Sequence, residues 1–174
     1  MPRRTTPRAL LLPAALVAAG LAVLLTACAP VVSLEPAPGA TDPGCAEIMV
    51  RLPETLPLDA TGQLKRETNA QATVAWGDPA SVLLRCGTTP QGPTTLPCLN
   101  INGIDWVEDD SNAPNYRFVT FGRVPATEVI LDSNVVSGTS TLVDLTSAIS
   151  IIPQTNKCLG LGDGVPIPTS VPAP

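Results

Sequence analysis

Chemistry in this chain begins with its cysteines, and their number is odd: Cys28, Cys45, Cys86, Cys98 and Cys158. Cys28 closes the run Leu25-Thr26-Ala27-Cys28. A thiol behind a branched apolar residue at minus three and a small residue at minus one matches the bacterial lipobox. There the sulfur takes a diacylglycerol through a thioether, and the chain is cut just before the cysteine. Four cysteines remain, which in an exported chain reads as two disulfides. They include no C-x-x-C pair and have no histidine beside them, so zinc is a poor rival. Three connectivities are available. Cys86 and Cys98 flank a Pro/Gly/Thr-rich loop between two strand-like runs, which predicts that they pair and that Cys45 and Cys158 join the ends of the domain.

The second set that could do chemistry is Trp76, Asp78, Arg85, Asp105, Trp106 and Arg123. Each tryptophan sits beside glycine and aspartate at a strand end. Together they could wall a ligand site, with Arg85 or Arg123 recognising an anionic group as a planar fork. The same residues fit two core anchors, and two arginines paired with Asp78 or Asp105. Asp78 and Asp105 could also be the two carboxylates of a hydrolase, although no spacing fixes their separation. The run Glu108-Asp109-Asp110-Ser111-Asn112 offers calcium-type oxygens but lacks the glycine and terminal glutamate of an EF-hand loop, and reads as a solvated acidic loop. No G-x-S-x-G or S-x-x-K motif places a base near a nucleophile. Gly160-Leu161-Gly162 leads into Asp163-Gly164 and not into a helix, so it is no phosphate loop. Neither a catalytic set, a metal nor a cofactor is implied.

Composition removes further classes. The 174 residues contain no histidine, which excludes a Ser-His-Asp triad, a Cys-His dyad and a His-ligated catalytic zinc. The net charge of −5 argues against a nucleic-acid partner, which needs a basic footprint.

The elements that must position these residues lie between two biased ends. Arg3, Arg4 and Arg8 precede a charge-free stretch from Ala9 to Leu25, the layout of a secretory signal. Residues 1–27 therefore read as a lipoprotein-type signal peptide, 28–44 as the lipidated cysteine and a Pro-rich linker, 45–160 as the folded domain and 161–174 as a disordered tail. Cleavage leaves 7 basic against 15 acidic residues, a charge of −8. Extended as polyproline II at about 3.1 Å per residue, the stretch from Ala29 to Gly44 would hold the domain roughly 50 Å from the lipid. Within the domain, helical spacing marks Cys45 to Leu52 and Thr139 to Ile152, the latter with Leu142, Leu145, Ile149 and Ile152 on one face and Ser140 or Thr141 as cap. Alternation marks strands at Ala70–Trp76, Ser81–Arg85, Leu99–Val107, Tyr116–Phe121 and Thr127–Leu131, with a bulge or tight bend at Asn102-Gly103. The expected fold is α+β: an antiparallel sheet of about five strands packed with two helices and stapled by disulfides.

In order, the chain shows the lipobox, a Cys-containing helix, Ala75-Trp76-Gly77-Asp78-Pro79, Leu84-Arg85-Cys86-Gly87, Asn102-Gly103-Ile104-Asp105-Trp106, Phe121-Gly122-Arg123 with Pro125, and a late helix followed by Cys158. This set resembles the DUF3515 family of actinobacterial exported and lipid-anchored proteins of unknown function, over about residues 44–160. The resemblance implies an actinobacterial cell envelope, in keeping with eight arginines against two lysines.

The function these features predict is a lipid-anchored, acylated envelope protein on the outer face of the plasma membrane. It would act as a binding or interaction module and not as an enzyme. Its expected partners are the membrane, through the lipid on Cys28, and another envelope protein or a wall component. The alternatives are a carboxylate-dependent envelope hydrolase and a membrane-tethered small-molecule binder.

Overall fold

The computed structural model describes residues 30–56 and 62–158. The chain divides into two units, Met1–Pro30 and Val31–Pro174, and all the described residues but Pro30 belong to the second. The signal peptide, Cys28 and the C-terminal tail expected at 161–174 lie outside the described residues. Among those residues no helix is long and apolar enough to cross a membrane.

The elements run α1 (Pro43–Met49), β1 (Thr55–Leu56), β2 (Gln63–Arg66), β3 (Thr73–Trp76), β4 (Val82–Thr88), β5 (Cys98–Ile101), β6 (Ile104–Asp109), β7 (Asn115–Thr120), β8 (Ala126–Asp132) and α2 (Gly138–Ile149). The strands form one sheet in the order β1-β2-β3-β4-β8-β7-β6-β5, and every neighbouring pair is antiparallel. Two four-stranded meanders thus meet at β4 and β8. The connection through residues 89–97 carries the chain from the middle of the sheet to its far edge.

The class is α+β, but the sheet has eight strands and not five. The stretch Leu99–Val107 is two strands, β5 and β6, folded back at Asn102-Gly103. Both turn residues have positive φ, 49° and 85°, which an Asn-Gly pair accommodates in a two-residue hairpin. The other two additions, β1 and β2, lie at the opposite edge. Gln63-Leu64-Lys65-Arg66 carries no apolar alternation, because β2, next to the two-residue edge strand β1, has no fully buried side chain.

Helix α1 starts where Asp42 caps it, its Oδ1 accepting a hydrogen bond from the Gly44 N–H at 2.8 Å, with Pro43 in the first turn. Helix α2 is capped by Ser137, one turn before the expected residues, and ends ahead of Pro153. Its buried face is the one the periodicity gives: Leu142, Leu145 and Ile149. Both helices pack on one face of the sheet, against Val74 and Trp76 of β3, Val82, Leu84 and Cys86 of β4, Ile104 and Trp106 of β6, Phe118 of β7, and Val129 and Leu131 of β8. Each fully buried aliphatic side chain stabilises by about 1.5–3 kcal/mol, which is how a core this poor in aromatics holds.

The disulfides differ from the expected pairing. Cys45 is bonded to Cys86 and Cys98 to Cys158. The reason is topological. Cys86 sits mid-sheet in β4 and Cys98 opens β5, four strand spacings away. At about 4.8 Å per spacing that is roughly 19 Å, far beyond the Cα separation of about 7 Å that a disulfide can bridge. Closeness in sequence across the loop gave no closeness in space. The first bond instead ties α1 to the middle of the sheet, and the second ties Cys158, in the segment after α2, to the sheet edge.

Part of the Pro-rich stretch packs on the folded unit, which runs from Val31. Ala37 and Ala40 are buried, and the Gly39 N–H donates to the Gly87 carbonyl at 2.8 Å. Gly87 has φ +88°, and a Cβ there would stand 2.2 Å from the Gly39 carbonyl carbon, so only glycine lets the two backbones meet. At the other end, Gln154 bridges to Arg123 and the Thr155 N–H donates to the Gly122 carbonyl at 2.7 Å, which straps residues 153–158 to the sheet.

Candidate functional site

Strand alternation sends Val82, Leu84 and Cys86 to the helices, so Leu83 and Arg85 lie on the face turned away from them. By the same rule Glu128 and Ile130 of β8, and Arg117 and Val119 of β7, share that second face. Register brings the charges together. Arg85 is directly opposite Glu128, while Arg117 lies opposite Ile130, diagonal to Glu128. Arg85 donates through Nε at 2.8 Å and Nη2 at 2.5 Å to one oxygen of Glu128. Arg117 donates through Nε at 2.5 Å to the other.

Glu128 is 2% exposed, while the side chains of Arg85 and Arg117 are 33% and 37% exposed. A buried carboxylate must be paired, and both its oxygens are. Each guanidinium keeps further N–H groups on the solvent side, flanked by the half-buried Leu83 and Ile130. The result is a planar donor surface with apolar borders and a single anchored acid beneath it, suited to recognising anionic or carbonyl-bearing groups and holding no nucleophile or acid–base pair.

A second polar cluster holds the segment that follows α2. Asp105, 4% exposed, accepts from Asn100 Nδ2 at 2.5 Å, Gln154 Nε2 at 2.7 Å and the Cys158 N–H at 2.9 Å. Burial alone would raise its pKa. The bonds from Asn100, Cys158 and Gln154, with the charge of Lys157, outweigh that and hold the carboxyl below its usual range. Arg123 is buried close by. Its Nη1 donates to the Ile152 carbonyl and its Nε has no partner among the described residues. Desolvation lowers its pKa, against the opposing pull of Asp105. This cluster is a clasp for residues 152–158.

Of the six residues the sequence singles out, only Arg85 stands in the exposed arrangement. Trp76 and Trp106 are both fully buried in the core, so they present no wall to a ligand. Trp76 Nε1 donates to the Pro53 carbonyl at 3.1 Å, whereas Trp106 Nε1 is buried without a partner among the described residues. Asp78 is on an exposed turn and pairs with Arg66 at 2.9 Å. Asp78 and Asp105 follow from β3 and β6, four strand spacings apart, about 19 Å along the sheet. Paired carboxylates of a glycosidase stand within about 5–9.5 Å, so these two do not make one. The acidic loop turns on itself, with Asp109 accepting from the Ser111 N–H at 3.0 Å, and no group of three potential metal ligands is found among the described residues.

Glu128 and Arg117 are absent from the sequence reading. The signal was available: a glutamate between Thr127 and Val129, inside an otherwise apolar strand, requires a cationic neighbour. Which strand supplies it depends on the β4–β8–β7 order, which sequence spacing does not reveal.

The family model described as "Protein of unknown function (DUF3515)" matches residues 8–157, so the chain belongs to that family. No curated protein and no solved structure matches it.

Proposed function

We propose that this member of the DUF3515 family is a lipid-anchored cell-envelope protein that works by binding. It is exported, acylated on Cys28 and held on the outer face of the plasma membrane. Its open sheet face, centred on Arg85, Glu128 and Arg117, meets another envelope protein or a wall component.

The partition of the cysteines carries this reading. All four cysteines of the folded unit pair with one another, which suits the oxidising side of a membrane. The fifth, Cys28, stands alone at the end of an apolar run in Leu25-Thr26-Ala27-Cys28. Two acyl chains, at about 0.8 kcal/mol per buried methylene, hold a protein to a bilayer where one chain does not. The charged trio supports binding over a purely structural role. Burying such a group is often no better for stability than filling the site with apolar side chains, so its presence on a strand face calls for a use.

Metabolic labelling with a fatty-acid analogue, followed by membrane fractionation, tests the anchor. The wild type takes the label and sediments with membranes, and Cys28→Ala does neither. An unlabelled wild type rejects the reading.

A further inference from the structure

The lipid anchor proposed above leaves almost no tether. Cys28 and Val31, the first residue of the folded unit, are three residues apart. Fully extended, three residues reach about 10 Å. A compact unit of this length has a radius of gyration of about 14 Å and hence an outer radius of roughly 19 Å. A tether half as long as that radius keeps the domain from standing clear of the bilayer and from rolling over on it.

We propose that the domain lies directly on the headgroup layer, and that the edge where the chain enters, β2 and its turn into β3, is a lipid-facing surface. This rests on the lipid-anchor reading. The entry point is pinned to that edge. Val32 forms a bridge with Thr68, its N–H donating to the Glu67 carbonyl at 3.0 Å. The Leu34 N–H donates to Asn69 Oδ1 at 2.7 Å. Lengthening the tether would mean stripping these bonds.

The surface at this edge fits lipid contact. Val31 and Leu64 are large apolar residues left 54% and 68% exposed. Lys65 and Arg66 are already paired, with Glu54 at 3.0 Å and Asp78 at 2.9 Å. The tether and apolar contact therefore hold the edge down, and lipid charge contributes little. The opposite corner of the sheet is well away. The turn between β6 and β7 lies at the other end of the strands, and β6 is five spacings from β2, about 24 Å.

The test uses the full acylated protein in phosphatidylcholine/phosphatidylglycerol vesicles containing a headgroup spin-labelled lipid. A fluorophore is attached at Gln71→Cys, in the turn into β3, or at Asn112→Cys, between β6 and β7; non-reducing peptide mapping verifies both native disulfides in each. Quenching is expected to be several-fold stronger at Gln71 than at Asn112, and to persist in about 1 M salt, where the Debye length is near 3 Å. A flexible insert of about 20 Gly/Ser residues after Pro30, with an end-to-end distance near 25 Å, should abolish the difference. Equal quenching at the two positions without the insert, or stronger quenching at Asn112, overturns the proposal. A protein that lacks acyl chains by mass spectrometry and does not float with the vesicles overturns the anchor reading itself, which separates the two failures.

Discussion

The two faces of the sheet bury charge differently. The helix-covered face packs Trp76, Leu84, Trp106, Leu131, Leu145 and Ile149 at near-zero exposure and is held by dispersion and the Cys45–Cys86 bond. The open face carries a carboxylate as buried as those side chains, Glu128, and pairs it with two arginines that are about a third exposed. Apolar packing is non-directional and tolerant of repacking. The charged trio is directional and leaves donors toward solvent. One face packs against the helices, and the other carries the partly exposed arginines over a buried acid.

The contrast is most severely strained by removing the bond on the covered face. Cys45→Ala with Cys86→Ala opens a loop with a sequence separation of 41, worth about 4 kcal/mol in the chain-entropy model, and both sites are fully buried. Urea unfolding should show at least that loss. On the open face, Glu128→Gln leaves two arginines without their anion and should cost about 3 kcal/mol, the low end for a buried pair because the arginines are partly solvated. Replacing the whole trio, Arg85→Met, Glu128→Leu and Arg117→Met, should return stability to within about 1 kcal/mol of the wild type or above it. If the triple variant is as unstable as Glu128→Gln, the trio serves the fold and the distinction between the faces fails.

Two carboxylates sharpen it through pH. Asp105, which clasps the segment after α2, has its pKa held below the usual range despite burial, by Asn100, Cys158, Gln154 and Lys157. Its contribution is full above the unfolded-state pKa, near 3.9, and is lost as pH falls through the lower folded value. Asp105→Asn should flatten the acid limb of a stability–pH curve below about pH 4. Asp144 on α2 behaves oppositely. Burial raises its pKa, and its Oδ2 is buried without a partner among the described residues. Stability should rise as pH falls through that raised value, and Asp144→Asn should increase the neutral-pH midpoint. Smallest of all, Arg51→Ala removes an exposed i,i+4 pair with Glu47 and should shift stability by less than about 0.5 kcal/mol.

What could be read from sequence follows the range of the interactions. Leu142, Leu145 and Ile149 mark α2 because helical period is local, and Val74/Trp76 and Phe118 mark strands by alternation. Asn102-Gly103 signalled a bend whose hairpin completion needed only one more step. Strand β2, one in from the sheet edge, gives no sequence signal because none of its side chains is fully buried. The disulfide pairing and the Arg85–Glu128–Arg117 cluster depend on β4 lying beside β8 and not beside β5. That is a crossover of the whole chain, and no window of spacing contains it. The buried Ala37 and Ala40 were masked by a Pro/Gly-rich composition that ordinarily marks a spacer.

A photo-cross-linking residue at Leu83, beside the trio, compared in living cells with one at Val143 on the exposed side of α2, tests the division of labour most directly. Discrete adducts are expected from Leu83, disappearing in the triple apolar variant, and none from Val143. Adducts from Val143 with none from Leu83, or Leu83 adducts untouched by the triple variant, would contradict it.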